Sequence, residues 1–350
     1  MQKCEELSYG DDPLQRVDVY REEGAAEYLL LFLHGGLWIS GDKSEYVSLA
    51  AELAREGWAM AVANYRLSGG GVMAPAHTQD AGQCLALLAG LLRPRRYLLV
   101  GHSCGAHMAA LLLEDAPLMA ACGGPPAAVV TVQGIFSLAA FCRDFPEWRA
   151  EVERSQGPDE RAWRDPRGGG GTEWLLIHSP EDPWVNAGQS EGWLRQLPPG
   201  TPARLVADVG GAHFAAVRAG EQPHRAQLLR ELRAVMAAAE EPLAQRDERR
   251  RQAAAGFREG RAAGTEAAAQ VSDWFLFCGC FSKNAGQSEF SRGFAAGAAE
   301  AAAAGRALGL LHTREQLTGR EEPRRELLIH RLEEGEMSPQ ELEQIMGEKK

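Results

Sequence analysis

The sequence predicts an α/β fold with a mostly parallel central sheet and helices on both faces of that sheet. Short apolar segments such as residues 28–33 (YLLLFL) have the continuous hydrophobicity of strands that are buried on both faces. Segments with helical spacing separate these strands along the chain, as the connections between parallel strands require. Such sheets bind ligands beyond the carboxyl ends of their strands. Functional residues are therefore expected in the loops that follow the strands.

The predicted strands and helices alternate from residue 16 to residue 239. Apolar runs predict strands at residues 16–20, 28–33, 58–64, 97–100, 128–132, 174–178 and 203–209. Apolar residues at helical spacing predict helices at residues 46–55, 78–92, 106–114, 186–196 and 222–239. The loop at 65–77 is rich in glycine. The polar stretch 149–171 is predicted to be a lid or surface excursion with little sheet character.

Composition and charge narrow the class of protein. A net charge of -11 argues against a nucleic-acid binder, which needs a basic face. The seven cysteines are an odd number scattered through apolar segments, which is typical of reduced thiols. The amino terminus lacks the apolar core of a signal peptide, and no run is long enough to span a membrane. We therefore expect a cytoplasmic protein with no membrane span and a small-molecule substrate.

The composition changes abruptly after Pro242. A charged run at 241–252 leads into a region dominated by Ala, Gly, Arg and Glu. We therefore predict a catalytic domain at 1–244 and a helical or partly disordered extension at 245–350. The pair Cys278 and Cys280 has no histidine nearby, so a zinc site there is only a minor alternative. The sequence leaves open both a homodimer and a partner that docks on the extension.

The nucleophile is predicted in residues 97–105 (YLLVGHSCG), where an apolar strand leads into a short turn and then a helix. The pattern G-x-S-x-G in this setting is typical of a nucleophile elbow, in which a serine lies on a strained turn at the carboxyl end of a strand. Gly101 and Gly105 let the turn close without Cβ clashes. Ser103 is the predicted nucleophile.

A serine nucleophile needs a base and a carboxylate that orients the base. Both candidates follow Ser103 in the chain order of enzymes built on this sheet. Asp182 comes after the strand at 174–178, and His213 comes after the strand at 203–209. Glu181 and Asp208 are rival acids. Packing or supporting roles are expected for three other histidines, His102, His107 and His178.

Backbone amides are predicted to stabilise the oxyanion at the segment 34–38 (HGGLW), which follows another strand. Consecutive glycines there allow a substrate carbonyl to approach the backbone closely. We assign the amides of Gly36 and Leu37, together with that of Cys104, to the oxyanion hole. His34, Gly35 and Trp38 complete the motif. A plain Gly-Gly turn is the alternative.

These motifs resemble the kynurenine formamidase (arylformamidase) family of the α/β-hydrolase superfamily. The family's H-G-G-x-W motif is similar to residues 34–38, and its G-H-S-A-G-A-H elbow is similar to residues 101–107, with Cys104 in place of alanine. Residues 65–68 (YRLS) and 134–138 (GIFSL) also resemble this family, and the similarity extends over about 17–239. The resemblance implies the α/β-hydrolase fold and hydrolysis of N-formyl-L-kynurenine to L-kynurenine and formate, with Ser103 as nucleophile.

The resemblance further implies that His213 is the base and Asp182 the orienting acid, with no metal and no organic cofactor. A carboxylesterase or a prenylcysteine methylesterase of the same fold is the first alternative, because their motifs overlap strongly with these. A non-catalytic binding protein on a hydrolase fold is the second. Aromatic side chains near one predicted strand end are candidates to hold an aryl ketone: Trp38, Phe136, Phe141, Phe145 and Trp148.

Overall fold

The computed structural model describes residues 3–22, 26–55, 57–168, 172–198, 200–207, 209–218, 223–242 and 245. The chain divides into two units, Met1–Glu240 and Glu241–Lys350. Nearly all of the second unit lies outside the described residues. The proposed extension, the pair Cys278 and Cys280, and the domain boundary near 244 therefore stay predictions.

An eight-stranded sheet forms the centre of the described region, with the strand order β1-β2-β4-β3-β5-β6-β7-β8. β2 pairs antiparallel with both β1 and β4, and all the other neighbours are parallel. The mostly parallel sheet that the sequence predicts is confirmed. The strands are β1 Lys3–Ser8, β2 Arg16–Arg21, β3 Tyr28–Leu33, β4 Trp58–Ala63, β5 Arg96–His102, β6 Ala128–Val132, β7 Glu173–Ile177 and β8 Ala203–Val206.

The central strands are buried on both faces because they are apolar at every position, not at every second one. In β3, Leu29, Leu31 and Leu33 belong to one hydrophobic layer, whereas Leu30 and Phe32 belong to the other. All five residues pair with apolar residues on β4, and the first four of them, Leu29 to Phe32, also pair with apolar or aromatic residues on β5. The sheet therefore separates two cores, each of which is covered by helices.

The helices lie in the two layers that this burial pattern requires. Helices α1 and α8 contribute to one core, and α2 to α7 contribute to the other. No helix in the described part of the chain is long and apolar enough to cross a membrane. The helices are α1 Val47–Leu53, α2 Ala76–Leu92, α3 Cys104–Leu112, α4 Ala116–Ala121, α5 Leu138–Asp144, α6 Arg149–Gln156, α7 Gly188–Gln196 and α8 His224–Glu240.

Three local predictions need correction. The polar segment of β1 was not expected to be a strand; its charged residues are tolerated because it pairs on one side only, at the edge of the sheet. The predicted strand at 203–209 ends at Val206. The stretch 149–168 contains α6, whose Val152 and Ser155 are fully buried, so it packs on the domain and is not a bare surface excursion.

Candidate active site

Ser103 lies on the turn between β5 and α3 with φ 54° and ψ −121°. A positive φ is unfavourable for a residue with a side chain and needs support from its surroundings. The backbone supplies that support: the Ser103 amide donates to the carbonyl of Val132 at 2.9 Å, and the Ser103 carbonyl accepts from Ile135 at 3.2 Å. The turn is therefore fastened to the end of β6, and it presents Ser103 at the carboxyl edge of the sheet.

The glycines around this turn are required by close packing. A Cβ atom on Gly105 would lie 2.1 Å from the carbonyl oxygen of Leu33, so α3 could not pass the end of β3. A Cβ atom on Gly101 would lie 2.4 Å from the carbonyl oxygen of Gly105. A Cβ atom on Gly35 would come within 2.8 Å of the Ser103 Cβ. The two glycine motifs thus bring the nucleophile turn and the segment 34–38 together.

Asp182 and His213 form a buried pair next to this turn. His213 Nδ1 lies 2.7 Å from Asp182 Oδ2, and their side chains are 4% and 0% exposed. A carboxylate can only accept a hydrogen bond, so Nδ1 carries the proton and Nε2 is left free to act as an acceptor. The other oxygen, Asp182 Oδ1, accepts from the amides of Trp184 at 2.8 Å and Val185 at 3.1 Å. The carboxylate therefore cannot rotate away from His213.

The rival acids have different positions. Glu181 Oε2 accepts from the amide of Gly211 at 3.0 Å, so Glu181 holds the loop that precedes His213 and is not paired with the imidazole. Asp208 lies outside the described residues. Among the candidates that can be compared, Asp182 is the acid that contacts His213.

Two buried histidines hold the backbone of this pair. His102 Nε2 donates to the carbonyl of His213 at 2.9 Å, and His178 Nε2 donates to the carbonyl of Val185 at 2.8 Å. Burial is the main cause that lowers the pKa of His102 well below its usual value, and it also lowers the pKa of His178. Both rings therefore stay neutral, which agrees with the supporting roles that were predicted for them.

His107 does not reach this pair. Its ring is fully buried, packs edge-on against Trp38 with the ring centroids 5.3 Å apart, and has no hydrogen-bond partner for either nitrogen within the described residues. Burial lowers the pKa of His107 to about 4. The predicted packing role fits this environment.

The segment after β3 has an unusual backbone conformation. Gly36, Leu37 and Trp38 all have positive φ values, of 119°, 50° and 61°. The carbonyl of Gly36 accepts from the amides of Ile39 and Ser40, both at 3.0 Å. Gly36 and Leu37 line the same cavity as Ser103. Their roles as oxyanion donors stay a prediction, as does that of the Cys104 amide.

His34, which precedes this turn, and Cys104 both contact Tyr65. The His34 ring stacks on Tyr65 with centroids 4.3 Å apart, and the Tyr65 hydroxyl donates to the His34 carbonyl at 3.0 Å. The same hydroxyl lies 3.7 Å from Cys104 Sγ. Burial raises the pKa of the Cys104 thiol to about 11. The thiol is therefore a protonated packing group.

A cavity of about 260 Å³ opens at this edge of the sheet, and Ser103 and His213 both line it. Most of the remaining lining is apolar and aromatic. Of the four aromatic side chains in the lining, the sequence predicted Phe141 and Trp148 and missed Trp184 and Phe214, which come from the loops that carry Asp182 and His213. The cavity is lined by Gly36, Leu37, Ile39, Ser40, Ser103, Ile135, Phe141, Trp148, Trp184, Val185, His213, Phe214 and Arg218.

Three of the aromatic residues that were predicted to hold a ligand lie elsewhere. Trp38 is buried in the core against His107. Phe136 is buried and stacks on Trp193 with ring centroids 4.8 Å apart. Phe145 is half-buried, packs against Phe141 and does not line the cavity. None of these three side chains therefore lines the cavity that Ser103 and His213 line.

Solved structures of esterases have the same fold. A bacterial heroin esterase aligns with 67% of this chain and 83% of its own chain, at 21% identity and a TM-score of 0.54. Esterase B from Lactobacillus rhamnosis aligns with 68% of this chain and 85% of its own chain, at 21% identity and a TM-score of 0.52. At such identities the likeness concerns the fold alone.

Sequence comparisons match the part of the chain that contains both glycine motifs. The family model BD-FAE matches residues 17–116, which include the segment 34–38 and the Ser103 turn. A kynurenine formamidase from Meyerozyma guilliermondii is 28% identical over 155 residues, which are 43% of this chain. The chain has the α/β-hydrolase fold and resembles kynurenine formamidase. A probable isoprenylcysteine alpha-carbonyl methylesterase from Oryza sativa subsp. japonica is 33% identical over 119 residues, which are 32% of this chain. The matches span 59% of the yeast protein and 28% of the rice protein.

Proposed function

We propose that this chain is a cytoplasmic serine hydrolase that converts N-formyl-L-kynurenine to L-kynurenine and formate, a step of tryptophan breakdown. The observation that carries the proposal is the 2.7 Å contact between His213 Nδ1 and Asp182 Oδ2, at the wall of a cavity that Ser103 also lines. This arrangement supports a nucleophile, a base and an acid that orients the base.

In the proposed reaction, the Ser103 hydroxyl attacks the formyl carbon while His213 Nε2 takes the hydroxyl proton. Asp182 stabilises the imidazolium that forms. The amides of Gly36, Leu37 and Cys104 donate to the oxyanion. Collapse of the tetrahedral intermediate breaks the C–N bond, and His213 gives its proton to the departing arylamine. Water then attacks the formyl ester by the same steps in reverse, which releases formate and regenerates Ser103.

The size and lining of the cavity favour a small aromatic substrate. Its volume of about 260 Å³ is below the usual range for ligand sites, which is roughly 300–1,000 Å³. A formyl group needs little space beside Ser103, and Trp148, Trp184 and Phe214 provide flat surfaces for an aryl ring. A long prenyl chain does not fit this volume, so a prenylcysteine methyl ester is the less favoured substrate.

An esterase is the second candidate function. The likeness to the rice methylesterase is higher in identity, at 33% over 119 residues, than the likeness to the yeast formamidase, at 28% over 155 residues. The proposed chemistry of Ser103 and His213 would also cleave an activated ester. The two candidate functions therefore differ in the preferred substrate, and a comparison of kcat/KM values distinguishes them.

The test is a comparison of kcat/KM for N-formyl-L-kynurenine, p-nitrophenyl acetate and a prenylcysteine methyl ester. We expect the highest kcat/KM for the formyl amide, and a Ser103→Ala variant should lose all three activities. If either ester is preferred by orders of magnitude, the chain is an esterase. If wild type cleaves none of them, the non-catalytic alternative is favoured.

A further inference from the structure

Arg218 stands out in the cavity because the rest of the lining, within the described residues, carries no permanently charged side chain. It lies one turn after Phe214, and its amide donates to the Phe214 carbonyl at 2.9 Å. The proposed chemistry of Ser103 and His213 gives it no role. Its position is therefore unexplained by the hydrolysis step alone.

The guanidinium of Arg218 is held in a fixed orientation. Its central carbon lies 3.6 Å from the centroid of the Phe214 ring, so the planar group stacks on one wall of the cavity. Phe214 in turn packs against His213 and Trp184, with ring centroids 5.0 Å and 5.3 Å apart. The cation is thus fixed on the same aromatic cluster that surrounds the base.

Part of the hydrogen-bonding capacity of Arg218 is free. Nη2 donates to Glu45 Oε2, while Nε and Nη1 have no hydrogen-bond partner in the part of the chain that the structure describes. The side chain is 44% exposed, so the free donors are open to the cavity mouth. A surface ion pair of this kind contributes little to stability. The pair with Glu45 therefore does not account for an arginine at this position.

We propose that Arg218 is a specificity-determining residue, which binds a carboxylate on the leaving-group half of the substrate. This inference rests on the proposed function. The formyl half of a formyl amide has one carbon and no charge, so any charge that the site recognises must be carried by the amine half. The N–H groups of the guanidinium that are left free can donate charge-assisted hydrogen bonds to a carboxylate.

Because Arg218 stacks on Phe214, the aryl ring and the carboxylate of such a substrate can bind next to each other. The aryl ring of the leaving amine lies among Trp148, Trp184 and Phe214, and Arg218 at the edge of this cluster receives the carboxylate. Burial is the main cause that lowers the pKa of His102, and the charge of Arg218 lowers it further. The charge of Arg218 therefore reaches the interior of the site.

The experiment compares two aryl formamides, of which only one carries the amino-acid group with its carboxylate. N-formyl-L-kynurenine carries the amino-acid carboxylate, whereas 2′-formamidoacetophenone has the same aryl ketone and formamide without it. The ratio of their kcat/KM values is measured for the full chain and for the Arg218→Gln variant. We expect this ratio to fall by about 10-fold or more in the variant, with Arg218→Lys in between. The neutral substrate corrects for any general loss of active protein.

Two further variants act as controls. Arg204→Gln removes an exposed arginine that is paired with Glu231 outside the cavity, and it should leave the ratio unchanged. Glu45→Gln removes the anion that competes for Arg218, and it should raise the ratio. This opposite shift is not expected if the ion pair has only a structural role.

The outcomes separate the two proposals. If wild type cleaves both formamides but the ratio in Arg218→Gln stays within about twofold of wild type, the role of Arg218 is wrong while the proposed function stands. If wild type cleaves neither formamide, the proposed function fails, and the role of Arg218 fails with it.

Discussion

Cys104 directly follows Ser103, the proposed nucleophile, and its backbone and side chain have different surroundings. Its amide lies next to Ser103 on the turn and is the predicted third oxyanion donor. Its side chain is fully buried beneath the turn, 3.7 Å from the Tyr65 hydroxyl. Because burial raises the pKa of the thiol to about 11, the sulfur is neutral at physiological pH. The backbone of Cys104 should therefore matter for catalysis more than its sulfur does.

The variant Cys104→Ala should accordingly be mild, since alanine keeps the amide and removes only the sulfur. We expect kcat/KM to change by about threefold or less and stability to fall by about 1 kcal/mol. Ser103→Ala, by contrast, should lower kcat by about 10⁴-fold or more. Steady-state kinetics and urea unfolding measure both. A loss of more than about 100-fold in Cys104→Ala would show that the thiol takes part in the reaction.

At the scale of elements, the unit of strand β5, turn and helix α3 depends on close approach to β3. Gly105 is the residue at which α3 crosses the carboxyl end of β3, and nothing larger than hydrogen fits there. The sheet pairing of β3 with β5 fixes one side of this contact. The helix must therefore move if the space is filled, and the Ser103 turn would move with it.

Gly105→Ala should destabilise the fold by about 1–3 kcal/mol through overpacking and should also reduce activity. Gly90→Ala is the matched control: Gly90 is an exposed residue of α2, and a Cβ atom there meets nothing within 4 Å. That change should stabilise the protein by about 0.5–1 kcal/mol, because alanine is the better helix former. Urea unfolding of both variants is the measurement. Equal stabilities would contradict the packing argument.

Secondary structure was easiest to predict from the sequence where the burial of a segment determines its hydrophobic pattern. The strands of the sheet centre were predictable because continuous apolar runs are typical of parallel strands. β1 was not, because an edge strand needs only one partner and keeps its charged residues in solvent. Ser103, Asp182 and His213 were predicted as site residues from G-x-S-x-G and from chain order, and the structure brings Asp182 into contact with His213.

The cavity lining was less predictable, because the direction of a side chain depends on how its loop packs. Trp38 was expected at the ligand but turns into the core, since φ at Leu37 and at Trp38 itself is positive. Trp184 and Phe214 line the cavity because the contact between Asp182 and His213 brings their loops together. No local sequence pattern indicates how the contact between Asp182 and His213 positions these aromatic side chains, or where Arg218 lies.

At the scale of the whole molecule, a set of buried histidines makes stability depend on pH. Burial is the main cause that lowers the pKa of each of them below its usual value. In the unfolded chain these groups bind protons below about pH 6.5, whereas in the folded protein they stay neutral to lower pH. The free energy of unfolding therefore falls as the pH drops below about 6.5. The residues are His34, His77, His102, His107 and His178.

His107 offers a clean measurement of this effect, because its ring is buried and burial lowers its pKa to about 4. Its share of the stability lost between pH 7 and pH 4.5 should be about 2 kcal/mol. In His107→Leu this share should disappear, so the pH dependence becomes shallower. Urea unfolding at the two pH values measures the difference. An identical pH dependence in wild type and variant would contradict the assignment.

Ser103 is proposed to be a nucleophile that His213 and Asp182 activate. The sharpest experiment is the reaction of the folded full chain with a fluorophosphonate, followed by peptide mass spectrometry. We expect one adduct on Ser103, formed rapidly in wild type, slowed by orders of magnitude in His213→Ala, and absent in Ser103→Ala. Wild-type protein that is folded but acquires no adduct on Ser103, or acquires it equally fast without His213, would contradict the claim.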